Sequence, residues 1–139
     1  MQLHVVTPAG SKVEATITQV TAPGELGDMG ILPGHLPLLS GLGIGILSYT
    51  PQQGNTHYLA VNGGYVEVDS DDVIVVTETA ERPEEIDVER ARAALERSER
   101  ESATVDTSAP SEIARVGAAI RRAANRLEVA KLSKSGGAG

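Results

Sequence analysis

The chain has no cysteine, which excludes disulfide frameworks and thiolate-bound metal. Phe and Trp are also missing, and the aromatic side chains are Tyr49, Tyr58 and Tyr65. The interior must therefore be built from Val, Ile, Leu and Ala, and few rings are available for bases to stack on. No run of about 18 apolar residues occurs, so no helix of this sequence is expected to span a bilayer. The opening MQLHVVTPAG has no basic segment leading into an apolar run, and no signal peptide is expected. A cytoplasmic protein fits these features. With 139 residues there is room for one ordinary domain, or a small one with a helical appendage.

Basic charge is nearly absent from the first part of the chain. Residues 1–80 hold Lys12 alone against eight acidic groups, a net charge of −7. Residues 111–139 invert this: Arg115, Arg121, Arg122, Arg126, Lys131 and Lys134 outweigh Glu112 and Glu128, for a net of +4. An acidic body with one lysine repels a phosphate backbone, so nucleic-acid binding is not expected. The basic end suits an acidic partner or a polyphosphate.

Self-contained chemistry finds no support. His4, His35 and His57 form no H-x-H or H-E-x-x-H pattern, so no metal site is expected. Ser40 lies in LLSGLG rather than G-x-S-x-G, and no G-x-x-x-x-G-K-[ST] loop occurs. No catalytic constellation is expected, nor any required cofactor.

The first eighty residues read as β structure. VEATITQV (13–20), HYLAV, YVEV and DVIVVT are short strand-like runs, separated by turn signals in PAGSK, APGELGD, PQQGN and NGG. Gly63-Gly64 is most simply a tight turn between strands. This spacing predicts a sandwich or barrel. Pro83 then marks a boundary, because it disfavours helical geometry at Arg82. From Asp87, a suitable N-cap, VERARAALERSERES predicts a helix with the narrow seam Val88, Ala91, Leu95, Ser98.

ATVDTSAP breaks the helix, and Pro110 can open the next one. There Ile113, Val116, Ile120, Ala123, Leu127 and Ala130 recur at alternating spacings of 3 and 4, the signature of an amphipathic helix seeking an antiparallel neighbour. The expected architecture is an N-terminal β-sandwich or barrel-like domain (1–84), a C-terminal antiparallel two-helix hairpin (85–134) and a disordered tail (135–139). The hairpin is thin and Ala-rich, which suits a change of conformation.

One stripe of the first helix carries Asp87, Arg90, Ala94 and Arg97, and Arg122 and Arg126 lie one turn apart on the second. Antiparallel pairing would gather these guanidiniums around an open centre suited to phosphate oxygens.

GELGDMGILPGHLPLLSGLGIGIL (24–47) and LAVNGGYVEVDSDDVIVV (59–76) together resemble the β-sandwich of F-type ATP synthase epsilon subunits. AERPEEIDVERARA (80–93) is similar to that family's strand-to-helix crossing with its Ile-Asp-x-x-Arg-Ala motif, and RRAANRLEVAKL (121–132) to the end of its second helix. The resemblance covers about residues 2–132. It implies a non-catalytic subunit on the central stalk, bound to the gamma subunit and the c-subunit ring at the cytoplasmic face of the inner membrane, a peripheral protein held there by the complex.

The hairpin would switch between a compact state and an extended one reaching the alpha/beta catalytic head, where it would block ATP hydrolysis. Partner contacts are expected at His35, whose bland alternative is a structural loop residue, and at Arg115, Arg121 and Arg122. Relatives bind ATP in the folded hairpin, and Glu81, Asp87, Arg90, Arg97, Arg122 and Arg126 match that site, with ATP as a regulatory ligand. Arg82 departs from the apolar residue expected beside Glu81. The alternative is a stand-alone β-sandwich ligand-binding protein with a helical dimerisation hairpin.

Overall fold

The computed structural model describes residues 1–34 and 37–135. Among these residues nine strands come first: β1 (Gln2–Thr7), β2 (Gly10–Gly24), β3 (Gly27–Ile31), β4 (Leu38–Gly41), β5 (Ile44–Pro51), β6 (His57–Asn62), β7 (Tyr65–Asp69), β8 (Asp72–Val76) and β9 (Ala80–Glu81). A 3-10 turn, Pro83–Glu85, leads into α1 (Val88–Thr104) and α2 (Pro110–Ser135). The change from β to helix falls where Pro83 interrupts the chain, and Pro110 opens α2, where its missing N–H costs no hydrogen bond. The tail expected from 135 lies outside the described residues beyond Ser135.

The strands form a β-sandwich in which the long β2 serves both layers. One layer runs β4-β7-β8-β1-β2, with β1 and β8 parallel; the other joins β3, β2, β5, β6 and β9. β2 pairs with β1 as far as Thr16 and with β5 from Ile17 onward, and its register shifts between Ile17 and Gln19. A bulge at this point supplies the bend by which one strand turns the corner of a sandwich.

Alternation along the strands fills the space between the layers. Leu3 and Val5 of β1, Leu47 and Tyr49 of β5, Val66 and Val68 of β7, and Val73 and Val75 of β8 are all buried. Among the described residues this core holds seventeen buried ones, all from positions 3–80 and none from the hairpin. His57 stacks on Tyr49, its cross-strand partner, with ring centroids 5.2 Å apart. His4 lies 3.4 Å from Asp72 and 4.0 Å from Glu14 on the outer face.

The Gly63-Gly64 turn is not a hairpin. It links β6 to β7, which belong to different layers and do not pair with each other, so it is a corner across the sandwich. Gly63 has φ 73° and Gly64 φ 106°, a region that favours glycine. A Cβ on Gly64 would overlap the Val76 carbonyl.

The helices pack on each other through small side chains. Ala91 and Ser98 of α1 and Val116 and Ala123 of α2 are buried, whereas Val88 and Ile113, at the ends of the expected seams, are largely exposed. Val129 lies outside the expected stripe yet is fully buried, packed with Ala60 and Ile86 and flanked by Ile46 and Ala130. The helix α2 thus has two covered faces, one toward α1 and one toward β5 and β6.

Candidate functional site at the joint of sandwich and hairpin

The candidate residues meet where β9 ends and α2 crosses β5 and β6. Glu81 is the last residue of β9 and pairs with Ala60 of β6. Arg126 Nε donates to Glu81 Oε1 at 2.7 Å and its Nη2 to Oε2 at 3.0 Å, a two-pronged contact in which both side chains are about a quarter exposed. A guanidinium fork against a carboxylate fixes direction as well as charge. The residue just before it, Asn125, donates through Nδ2 to the Gly45 carbonyl at 2.8 Å. The Val129, Ile86 and Ala60 cluster completes the seat.

The connecting segment is also tied down. Lys12 Nζ lies 2.6 Å from Glu85 Oε2, Arg82 Nη2 donates to the Lys12 carbonyl at 3.1 Å, and the Arg82 backbone N–H donates to Glu85 Oε1 at 2.8 Å. The Lys12 ammonium holds the Glu85 carboxyl below its usual range; partial burial opposes this, and the Arg82 amide adds to it. The tie is present above the ordinary glutamate range and is lost as pH falls through the lowered value. Arg82, where an apolar residue was expected, has thus become a tether between the joint and β2.

At the start of α1, Asp87 Oδ1 accepts from the Arg90 backbone N–H at 3.0 Å, as a helix N-cap. Replacing Asp87 with Ala should cost about 1 kcal/mol of helix stability, with Asn keeping most of it. Hydrogen exchange of the first turn of α1 measures this, and equal exchange in Ala and Asn variants would contradict the cap.

Arg122 is exposed but lines a cavity of about 40 Å³ together with Ile44, Thr79, Glu81, Asn125 and Arg126. Arg90 and Arg97 are exposed on α1 and do not line that cavity. The second covered face of α2 turns Arg126 toward the sandwich, where it meets Glu81. Small-molecule sites usually enclose about 300–1,000 Å³, so this cavity by itself is too small to enclose a nucleotide.

Of the expected partner contacts, Arg121 is exposed. Arg115, at the tip of the hairpin, is held by Glu101 and Glu112, with Nη2 2.9 Å from each carboxylate. That pairing raises the Arg115 pKa and lowers that of Glu112. His35 lies outside the described residues. Asn125, Ile86 and Val129 were not singled out from the sequence, although each lies in or beside a motif that was. Their one signal is that Arg122, Arg126 and Val129 recur at helical spacing on a face distinct from the apolar stripe.

Residues 1–83 match the family model described as ATP synthase, Delta/Epsilon chain, beta-sandwich domain, and residues 84–131 match ATP synthase, Delta/Epsilon chain, long alpha-helix domain. ATP synthase epsilon chain 2 of Syntrophotalea carbinolica is 45% identical over 130 residues, covering 94% of this chain and 93% of the relative. The epsilon chain of Solibacter usitatus is 49% identical over 102 residues, 73% of this chain and 75% of that one.

In fold, the chain is similar to one in the cryo-EM structure of Euglena gracilis mitochondrial ATP synthase, OSCP/F1/c-ring, with TM-score 0.76 and 24% identity. That match covers 93% of this chain and 79% of the other. These matches do not favour a stand-alone ligand-binding module. With both halves matched in order, and a relative aligned over nearly its full length, the chain belongs to the epsilon-subunit family of the F-type ATP synthases.

Proposed function

We propose that this chain is a non-catalytic coupling and braking subunit in two parts. The sandwich, residues 1–84, holds it on the central stalk against the gamma subunit and the c-subunit ring, on the cytoplasmic side of the membrane. The hairpin, residues 85–134, leaves its compact seat and extends toward the alpha/beta head, where it blocks the rotation that accompanies ATP hydrolysis. Arg121 and Arg122 contact the head in that state, joined by Arg115 once it is released from Glu101. His35 is a further partner contact in this reading.

The observation that carries this reading is the inequality of the two cores. Among the described residues, seventeen buried ones from positions 3–80 close the sandwich, while the seat of α2 shows a cluster of three buried residues with Ile46 and Ala130 beside it, the Arg126–Glu81 ion pair and the Asn125–Gly45 hydrogen bond. A unit held by so few contacts opens at a lower free energy than the body to which it is attached. The sandwich can then remain on the stalk while the hairpin moves.

A chain ending at Glu85 retains every residue of the sandwich core and the Lys12–Glu85 tie. It should therefore co-purify with the gamma subunit as well as the full chain does. Loss of gamma on that truncation would contradict the division of labour.

A further inference from the structure

We propose that Lys12 is a positioning residue that makes the 3-10 turn Pro83–Glu85 a fixed part of the sandwich, so that the hairpin pivots beyond the turn, at Ile86 and Asp87. The proposal rests on the reading above that the hairpin leaves its seat, and it names the point about which the hairpin swings.

Lys12 is the one Lys or Arg among residues 1–80, and the register of β2 sets it apart. Val13 of β2 pairs with Val5 of β1, and Ser11 with Val6, so Lys12 falls at the register shift with no β1 residue opposite it. A bulge of this kind leaves its extra residue out of the ladder and re-aims its side chain. Here the side chain and the carbonyl both turn to the joint. The ammonium donates to Glu85 Oε2 at 2.6 Å, and the carbonyl accepts from Arg82 Nη2 at 3.1 Å. The Arg82 backbone N–H donates to Glu85 Oε1 at 2.8 Å, which closes a ring through Lys12, Glu85 and Arg82.

The turn needs such a tie. Its own backbone bonds are Glu85 N–H to Arg82 O at 3.0 Å and Ile86 N–H to Pro83 O at 3.3 Å. A first turn of helix fixes several dihedrals for very few bonds and is unfavourable alone. Two supports are at hand: the ring on β2, and the packing of Ile86 with Val129 of α2. Only the ring stays when α2 leaves. Upstream, Glu81 is held by its pairing with Ala60. Downstream, Ile86 (φ −79°, ψ 124°) and Asp87 (φ −79°, ψ 99°) are extended residues between the turn and α1. Rotation is thereby confined to these two. If the ring were absent, residues 82–86 would add up to about 17 Å of slack, and the start of α1 would lose its direction.

Val129→Glu combined with Asn125→Ala places a charge in the buried seat and removes the Gly45 bond, which unseats α2 without touching the ring. Hydrogen exchange of the full chain, read amide by amide, then separates turn from helix. Amides 122–132 should exchange about tenfold faster in this variant, while those of Arg82 and Glu85 keep the wild-type rate. Adding Lys12→Met, which retains the apolar stem and removes the charge, should speed the Arg82 and Glu85 amides about fivefold. Lys12→Arg in the same background should leave them slow. Exchange of β7 and β8 should be unchanged throughout, because Lys12 is not among the core residues.

Arg82 and Glu85 amides that speed up together with α2 when only the seat is opened would overturn the proposal, since the helix would then be holding the turn. So would Lys12→Met leaving them at the wild-type rate. Faster exchange of β7 and β8 in Lys12→Met would overturn it as well, because Lys12 would then support the whole sandwich. The seat is opened by substitution in the free chain, so a failure of the braking reading, judged by hydrolysis in the assembled enzyme, stays distinguishable.

Discussion

An assembled synthase carrying this chain without residues 86–139 is expected to hydrolyse ATP several-fold faster than one carrying the full chain, with coupling retained. The seventeen core residues of the sandwich all precede the cut, so the stalk-bound part survives it. What is lost is the part with a net charge of +4 beyond residue 110, together with the helices that would carry that charge to the catalytic head.

A finer version replaces Arg121 and Arg122 with Glu, which should raise hydrolysis in the same direction and weaken its dependence on salt. Arg115 is a poorer choice for this purpose. It already bridges Glu101 and Glu112, so a Glu there would repel both and loosen the hairpin itself. Hydrolysis rates of the reconstituted enzyme decide the matter. Rates equal to those of the full-length assembly, in both the truncated and the charge-reversed forms, would remove the brake from this protein's role.

Gly64→Ala should destabilise the sandwich by about 3 kcal/mol, with a fall in Tm of about 10 °C. Two costs combine. Gly64 has φ 106°, which an L side chain adopts only under strain, and the new Cβ would overlap the Val76 carbonyl. Relief would mean moving a corner that is bonded on several sides. Gly64 O accepts from Leu42 N–H at 2.9 Å, Gly63 N–H donates to Gly43 O at 3.1 Å, and Asn62 N–H donates to Thr77 Oγ1 at 3.0 Å.

Gly63→Ala is the control. Its φ is 73° and nothing lies within 4 Å of the added Cβ, so only about 1–2 kcal/mol of backbone cost applies. Thermal unfolding of the two variants compares them. Equal losses would show that the Val76 carbonyl gives way easily and that backbone conformation alone sets the cost.

Much of the joint was legible as motif and little of it as contact. Asp87 could be read as an N-cap because capping is local: the donor is three residues away on the same chain, and the Asp87–Arg90 bond needs no tertiary partner. Pro83 and Pro110 marked their boundaries for the same reason, since the ring acts on its own backbone. The Arg126–Glu81 pair spans 45 residues and the Asn125–Gly45 bond spans 80. Helical spacing places Arg122 and Arg126 on one face of α2 but cannot say whether that face meets another helix or a sheet. The apolar stripe pointed to α1 as the only neighbour, and Val129, fully buried against Ala60 and Ile86, reveals the second.

The sequence by itself determined the order of the parts: a Val-rich sandwich without Phe or Trp, a proline boundary, then two amphipathic helices with basic charge concentrated in the second. These follow from periodicity, turn residues and capping, which act within a few residues of chain. Tertiary structure alone decided that β2 serves both layers, that the double-glycine turn is a corner rather than a hairpin, and which anion Arg126 meets. Each of these depends on which distant strand comes to lie alongside. That choice is made by the packing of the whole core, and no local window of the sequence contains it.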